Sequence, residues 1–361
     1  MPGYGLKTRI DLKGIIPRRI LVCKFGRLGD VLMMTPFCKA LKDLFPGVSI
    51  TALVYASTKE IVANCPWVDD YILADGQSRS FMNKLRKDFN LPLKIRRGRF
   101  DLYFDFSNGE RGAYLGFLSG IKRRVGFTKN DTPLLRYLIP YPVPRRAGMC
   151  HEVVNYLEQL EALGFQVQAP PLQWRPDQES LDAAEDILQS LAIEDFVLIH
   201  PTSFWMFKAW EEDKNALVID HLVRLGFKVV LSAGPDGREL AYIDGIISRL
   251  SSPQGVINLA GKLTLTVLGA LIGKARLFFG ADSAPMHLAA AMGTPTVAVF
   301  GPSSEVSWHP WMVKHRLLIG PCPEHPCHRA GCNDSGISRC LTSLPVEPVL
   351  QAIDELMETS A

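Results

Sequence analysis

Apolar runs of five to seven residues recur along the chain, separated by polar stretches with helical spacing. "RILVCKF" (19–25), "VSITALV" (48–54), "DYILA" (70–74) and "FDLYFDF" (100–106) lie in the first half. "FVLIH" (196–200), "FKVVLSA" (227–233), "GVINL" (255–259), "ARLFFG" (275–280) and "TPTVAVF" (294–300) lie in the second. Near-continuous runs of this length predict strands buried on both faces, as in parallel sheets covered by helices. Residues 31–45 and 151–163 carry the helical patterns between them. The alternation predicts an α/β fold. "QAPPLQWRP" (168–176) is proline-rich and aperiodic, and it reads as a linker. A chain of 361 residues suits two domains. We expect parallel-sheet domains over 1–170 and 171–345, meeting at a cleft, and a terminal helix within 346–361 that packs back on the N-terminal domain.

Composition narrows the class. With 47% hydrophobic and 21% charged residues the chain is an ordinary globular one. The opening "MPGYGLKTRIDLKGIIPRR" has no apolar core of a signal peptide, and no apolar run reaches the ~18 residues of a membrane span. The expectation is a soluble, cytoplasmic protein.

Charge is divided unevenly. Residues 1–160 hold 26 Lys/Arg against 14 Asp/Glu, a net of +12, whereas residues 161–361 hold 14 against 23, a net of −9. The cations concentrate in "NKLRKDFNLPLKIRRGR" (83–99) and "IKRRVGFTKN" (121–130). No aromatic-rich RNA-binding signature or zinc-finger spacing accompanies them, so nucleic acid is not the expected partner. A phosphorylated glycolipid, an anionic membrane surface and a merely solvated basic face stay open. Four of the eight cysteines, Cys322, Cys327, Cys332 and Cys340, follow C-x4-C-x4-C-x7-C, which is not the paired spacing of a structural zinc site. They read as free thiols on a surface loop, and no metal is expected.

Two stretches carry candidate chemistry. In "FGRLGDVLMMTP" (25–36) two glycines bracket a turn that delivers Asp30 to the mouth of a helix. Asp30 is either a helix N-cap or a general base at the carboxyl end of a parallel strand. In "FFGADSAPMHLAAAMGTPTVAVFGP" (278–302) a strand runs into Asp282 and Ser283, and Pro285 opens a short helix ending at Gly293. Ser283 can cap that helix, and the free N–H groups beside Ala284 form a pocket suited to a diphosphate. His287, four residues after Ser283, faces the same side or is satisfied in the core. Neither "GRLGD" (26–30) nor "GPDGREL" (234–240) fits the G-x-G-x-x-G of a dinucleotide site, and no P-loop sequence is present.

Together with "HPTSFWMFKAW" (200–210), "SAGPDGREL" (232–240) and "LAGKLTLTVLGALIGKA" (259–275), these stretches fall in an order that resembles the lipopolysaccharide heptosyltransferases of glycosyltransferase family nine, closest to the heptosyltransferase III branch. The resemblance runs from about residue 18 to 358. It implies a GT-B fold, two facing Rossmann-like domains, with the acceptor on the N-terminal domain and the nucleotide-sugar donor, ADP-heptose, on the C-terminal one. It implies Asp30 as general base toward the acceptor hydroxyl and Lys208 on donor phosphate, with Thr202 and Ser203 beside it. Glu239 falls on the ribose, and Asp282, Ser283, Ala284 and His287 fall at the pyrophosphate-binding helix start. Many members have Gly at the position of Ala284.

Arg96, Arg97, Arg123 and Arg124 are the candidate contacts to acceptor phosphate. The family inverts configuration, so one base suffices, and Lys208 with the helix amides can neutralise the leaving diphosphate without a metal. The expected partners are a nucleotide-sugar donor and a phosphorylated lipopolysaccharide-core acceptor, with peripheral contact at the inner face of the inner membrane and no nucleic acid. Two alternatives remain: another nucleotide sugar on the same fold, or a non-catalytic protein that binds anionic glycolipid.

Overall fold

The computed structural model describes residues 16–76, 90–107, 109–127 and 133–358. The chain divides into two units, Met1–Gln173 and Trp174–Ala361, with the boundary inside the proline-rich stretch. Gln173 stays with the first unit, its N–H donating to Thr35 Oγ1 (2.9 Å) and its amide accepting from Trp67 Nε1 (2.8 Å).

In the first unit the elements run β1 (Arg19–Lys24), α1 (Leu28–Leu32), α2 (Thr35–Leu44), β2 (Ser49–Tyr55), α3 (Lys59–Ala63) and β3 (Asp70–Ala74). They continue with α4 (Leu91–Arg97), β4 (Leu102–Asp105), α5 (Glu110–Leu118), β5 (Arg124–Phe127), α6 (Pro133–Leu138), β6 (Tyr141–Val143) and α7 (Glu152–Ala162). The strands pair in the order β3-β2-β1-β4-β5-β6, all parallel. β1 is central, and its Ile20 faces Ile50 on one side and Leu102 on the other. This explains why it reads as an unbroken apolar run: both faces are covered, by α2 on one side, where Phe37 packs edge-on against Phe104 and Phe106.

The second unit repeats the plan. It holds α8 (Gln178–Ser190), β7 (Phe196–His200), α9 (Glu212–Arg224), β8 (Lys228–Leu231), α10 (Gly237–Ile247), β9 (Val256–Asn258), α11 (Leu265–Lys274) and β10 (Leu277–Ala281). There follow α12 (Ala284–Met292), β11 (Thr296–Val299), α13 (Glu305–Trp308), β12 (His315–Leu318), α14 (Arg339–Thr342) and α15 (Glu347–Glu358). The sheet order is β12-β11-β10-β7-β8-β9, again parallel. The terminal helix α15 buries Val349, Ile353 and Leu356 in the core of this second unit, beside Val297 and Val299.

Each sheet thus has the doubly wound order 3-2-1-4-5-6, and each has one place where the winding reverses: between β1 and β4, and between β7 and β10. At such a reversal the flanking loops leave in opposite directions and open a crevice at the carboxyl ends of the strands, where ligands bind. Every expected strand is present. Three further strands, β5, β6 and β12, come from segments too short or too charged to read as apolar runs. The expected helix at 31–45 is two, α1 and α2, broken at Met33–Met34.

Candidate active site

At the first reversal, α1 begins earlier than the apolar pattern suggested, so Arg27 and not Asp30 is its N-cap. Asp30 stands three residues in and reaches back, its Oδ2 accepting the Arg27 N–H at 2.9 Å. Of the two readings offered for Asp30, the N-cap is therefore replaced by the acidic half of a capping box. The turn needs Gly26, because a Cβ there would lie 2.6 Å from the Asp30 Cβ.

The other Asp30 oxygen is 3.3 Å from Lys24 Nζ, a lysine at the end of β1 that is only 3% exposed. Lys24 also donates to the Phe106 carbonyl beyond β4 (3.2 Å) and lies over the Tyr156 ring, 5.4 Å from its centroid. Burial pulls the Lys24 ammonium down, but Tyr156, Asp30 and Glu152 outweigh it and hold its pKa above the usual lysine value. The lysine bridges the two strand ends at the reversal and stays charged.

Beside it, Asp105 closes β4. Burial pushes its carboxyl up to about 6, against the lowering effect of the Ser107 side chain and N–H, which both donate to it. Sequence reading missed Lys24 and Asp105, yet both carry the signal that singled out Asp30: a lone polar group at the end of an otherwise apolar strand.

The four arginines do not gather at this edge. Arg96 and Arg97 are exposed near the end of α4, and Arg97 lines a pocket with Leu73, Ala74 and Asp75 at the end of the edge strand β3, away from β1 and β4. Arg123 and Arg124 open β5 at its amino end, the Arg123 carbonyl accepting from Tyr103 N–H. Arg124 is buried, and its guanidinium donates to the carbonyls of Ile121, Tyr137 and Leu138. It is a clasp between β5 and α6, not an open phosphate contact. Of the two basic stretches, residues 83–89 and 128–130 lie outside the described residues.

At the second reversal three neighbouring strand ends converge. β7 ends at His200 and leads to Thr202, Ser203 and Lys208; β8 leads to Glu239 in the first turn of α10; β10 leads to Asp282, Ser283 and α12. Thr202 Oγ1 donates to Glu239 Oε2 (2.6 Å), and the Gly234 N–H donates to the same oxygen (3.0 Å). Behind them the ring of His200 lies between Ser232 Oγ (3.0 Å from Nδ1) and Thr202 Oγ1 (3.4 Å from Nε2). Because Thr202 gives its one proton to Glu239, a hydrogen bond from the ring to Thr202 needs the Nε2–H tautomer, while the Ser232 hydroxyl has both Nδ1 and the Ile199 carbonyl (3.2 Å) within reach of its proton. Burial lowers the His200 pKa to about 4, so the ring is neutral.

Lys208 Nζ pairs with Asp282 Oδ2 at 2.7 Å. Its loop is braced from the cysteine-bearing segment: Ser338 Oγ donates to the Phe207 carbonyl (2.6 Å), and the buried Trp210 Nε1 donates to the Leu341 carbonyl (3.2 Å). That segment, expected to be a surface loop, therefore contributes structure, and Cys340 is buried on α14 with its thiol pushed up to about 11 by burial and by the other three thiols. Among the described residues no group of three or more His, Cys, Asp or Glu is arranged to hold a metal.

Ser283 is the N-cap of α12, with Ala284 and Pro285 opening the helix and Gly293 ending it in the left-handed conformation (φ 76°). The Ser283 side chain makes no capping bond, and its buried Oγ has no hydrogen-bond partner. This hydroxyl is thus unspent at a helix start, a place that favours an anionic group, although Pro285 has no N–H and the Met286 N–H donates to the Ser283 carbonyl (3.2 Å). His287 is buried one turn on, its ring 6.2 Å from that of Trp308.

A family model described as glycosyltransferase family 9 (heptosyltransferase) matches residues 89–337. The chain belongs to glycosyltransferase family 9. It is 30% identical to lipopolysaccharide heptosyltransferase 3 of Escherichia coli, over 92% of this chain and 97% of that protein. Among solved structures it is similar to a family 9 glycosyltransferase from Veillonella parvula, at 22% identity and a TM-score of 0.84, covering 95% of this chain and 98% of that one. It is also similar to Escherichia coli heptosyltransferase WaaC with ADP, at 19% identity and a TM-score of 0.67, over 95% and 99% of the two chains. The family 9 chain is a glycosyltransferase of the GT-B fold, built from the two Rossmann-like units described above.

Proposed function

We propose that this family 9 glycosyltransferase moves heptose from ADP-heptose to the inner core of lipopolysaccharide with inversion at the anomeric carbon. The observation that carries the donor assignment is the unspent Ser283 hydroxyl at the start of α12, with the Lys208 ammonium held nearby by Asp282. A diphosphate leaving group gathers negative charge as the sugar departs. Fixed N–H dipoles and one ammonium stabilise that charge without reorganising. Glu239, held by Thr202 and Gly234, keeps an oxygen for the two hydroxyls of a ribose.

Asp30 takes the proton of the attacking hydroxyl. Lys24 keeps that carboxylate oriented through one oxygen and the Arg27 N–H through the other. General-base assistance of this kind contributes about 10²–10⁴-fold. A single base suits inversion, since no covalent sugar intermediate is formed. A phosphorylated lipid acceptor suits the +12 charge of residues 1–160. The enzyme is expected to work at the cytoplasmic face of the inner membrane.

The test is turnover. Purified protein is given ADP-heptose and deep-truncated core acceptors, and ADP release and product anomer are followed. Release of ADP with inverted product supports the reading. No turnover on any core acceptor, with tighter binding of a UDP- or GDP-sugar in competition calorimetry, moves the chain to another donor.

A further inference from the structure

Of the arginines chosen from the sequence for acceptor phosphate, Arg96 and Arg97 lie on an outer face that has its own pattern. α5 packs against both α4 and α6, so the three helices form one layer on the first unit. An amphipathic helix covering a sheet normally turns polar residues outward. Here the outward stripe of α5 is Tyr114 and Leu118, four residues apart, 36% and 55% exposed. α6 turns out Leu134 and Tyr137, at 54% and 65%, and α4 turns out Leu93, at 53%. Single exposed apolar residues are ordinary, but five large ones on three adjoining helices are not. Tyr137 is held in place, its ring 5.1 Å from that of Phe117, and the Arg124 clasp fixes the end of α6 beneath it.

The same layer is strongly cationic. Lys94, Arg96 and Arg97 lie exposed on α4, Lys122 and Arg123 follow α5, and Arg136 is exposed on α6, against the one exposed acid Glu110 on these helices among the described residues. Aliphatic side chains interleaved with Lys and Arg match a surface that is apolar just below a layer of phosphate. Nucleic acid offers the phosphates but no place for Leu93, Leu118 and Leu134.

We infer that the α4–α5–α6 face docks the protein on an anionic lipid bilayer, with Leu93, Leu118, Leu134 and Tyr137 entering the headgroup boundary and the surrounding Lys and Arg meeting lipid phosphates. This names the surface for the membrane partner in the proposed function and rests on that reading only for the choice of lipid. The full chain is sedimented with vesicles of equal parts phosphatidylglycerol and phosphatidylcholine, beside vesicles of phosphatidylcholine alone. We expect binding to the anionic vesicles, weakened as salt is raised from about 50 mM to about 500 mM.

The variants Leu118→Asp/Leu134→Asp and Lys94→Gln/Arg96→Gln/Arg97→Gln should each lower the partition coefficient by at least about tenfold, since each cation near such a surface contributes about fivefold. ADP binding by calorimetry on the same preparations should be unchanged, which checks folding. Wild-type protein left in the supernatant overturns the inference, as does equal binding by both variants. A lipid-free dimer that Leu118→Asp/Leu134→Asp dissolves, or DNA binding that the charge variant abolishes while vesicle binding persists, also overturns it. Vesicle binding without heptosyl transfer would instead overturn the activity and leave the surface standing.

Discussion

Lys24 Nζ and Asp30 Oδ1 stand 3.3 Å apart, yet water reaches only one of them, with the lysine 3% and the aspartate 28% exposed. The pair is thus asymmetric: Asp30 can meet a substrate hydroxyl, and Lys24 cannot leave. Asp30→Asn keeps the shape and removes the proposed base. We expect turnover to fall by about 10²–10⁴-fold with ADP affinity unchanged. The change also takes from a buried ammonium its salt-bridge partner, leaving it the Phe106 carbonyl, Tyr156 and the carboxylates of Glu152 and Asp105. Stability should fall by about 1–3 kcal/mol, less than for a fully buried pair because Asp30 is partly solvated. Adding Lys24→Met should restore the melting temperature and not the turnover. A double variant that regains activity would remove Asp30 from the chemistry.

The division of labour around Glu239 can be separated by ligand size. Its carboxylate is held by Thr202 Oγ1 and Gly234 N–H, whereas Lys208 and Ser283 lie toward the start of α12. If Glu239 reads the ribose, Glu239→Gln weakens ADP binding by about tenfold or more, by loss of charge-assisted bonds, and leaves inorganic pyrophosphate binding as it was. Lys208→Met should weaken both ligands. Calorimetry with the two ligands decides the matter, and equal losses for Glu239→Gln would place that carboxylate elsewhere.

The brace on the Lys208 loop gives a test far in sequence from the ligand. Ser338 Oγ holds the Phe207 carbonyl from 131 residues away. Ser338→Ala removes one neutral hydrogen bond, worth about 1 kcal/mol. We expect ADP affinity to drop by about three- to tenfold, with the melting temperature shifted by no more than a few degrees. A large fall in melting temperature with unchanged ADP affinity would make Ser338 a residue of the fold alone.

Much of this could be read from the residues because buried parallel strands leave a plain trace. The long central strands β1, β2, β7 and β10 are apolar on both faces, and the two turns that follow β1 and β10 hold candidate site residues. β5 was not legible, since its only run, Arg124–Phe127, begins with an arginine whose charge is satisfied by three carbonyls that no local pattern announces. Composition likewise offered Arg96, Arg97, Arg123 and Arg124 as a group: it shows that cations are present, and only the fold separates the exposed Arg96 and Arg97 on α4 from the buried Arg124 in β5. Asp30 was read as a cap or a base; as the third residue of α1 it closes a capping box while its side chain stays partly exposed. Lys24, Asp105 and His200 were legible in principle, since each ends an apolar strand with a polar group.

Asp105 and His200 should give opposite pH dependences over nearly the same range. Burial raises the Asp105 carboxyl to about 6, so its contribution to stability is full below about 4 and is lost as pH rises toward 6. Burial lowers the His200 ring to about 4, so its contribution is full above about 6.5 and is lost as pH falls toward 4. Each amounts to roughly 3 kcal/mol at most, at about 1.4 kcal/mol for each unit of pKa. In the wild type the two largely cancel between pH 4 and 6.5, and the slope of stability against pH there is small for these groups. Asp105→Asn removes one side, so the variant should lose stability faster than wild type on acidification and should be relatively more stable at pH 7 than at pH 4. His200→Gln removes the other side, and the slope should reverse. Urea denaturation at half-unit steps of pH reads both. Parallel stability curves for wild type and Asp105→Asn would mean that the carboxyl is as well solvated in the fold as in the unfolded chain.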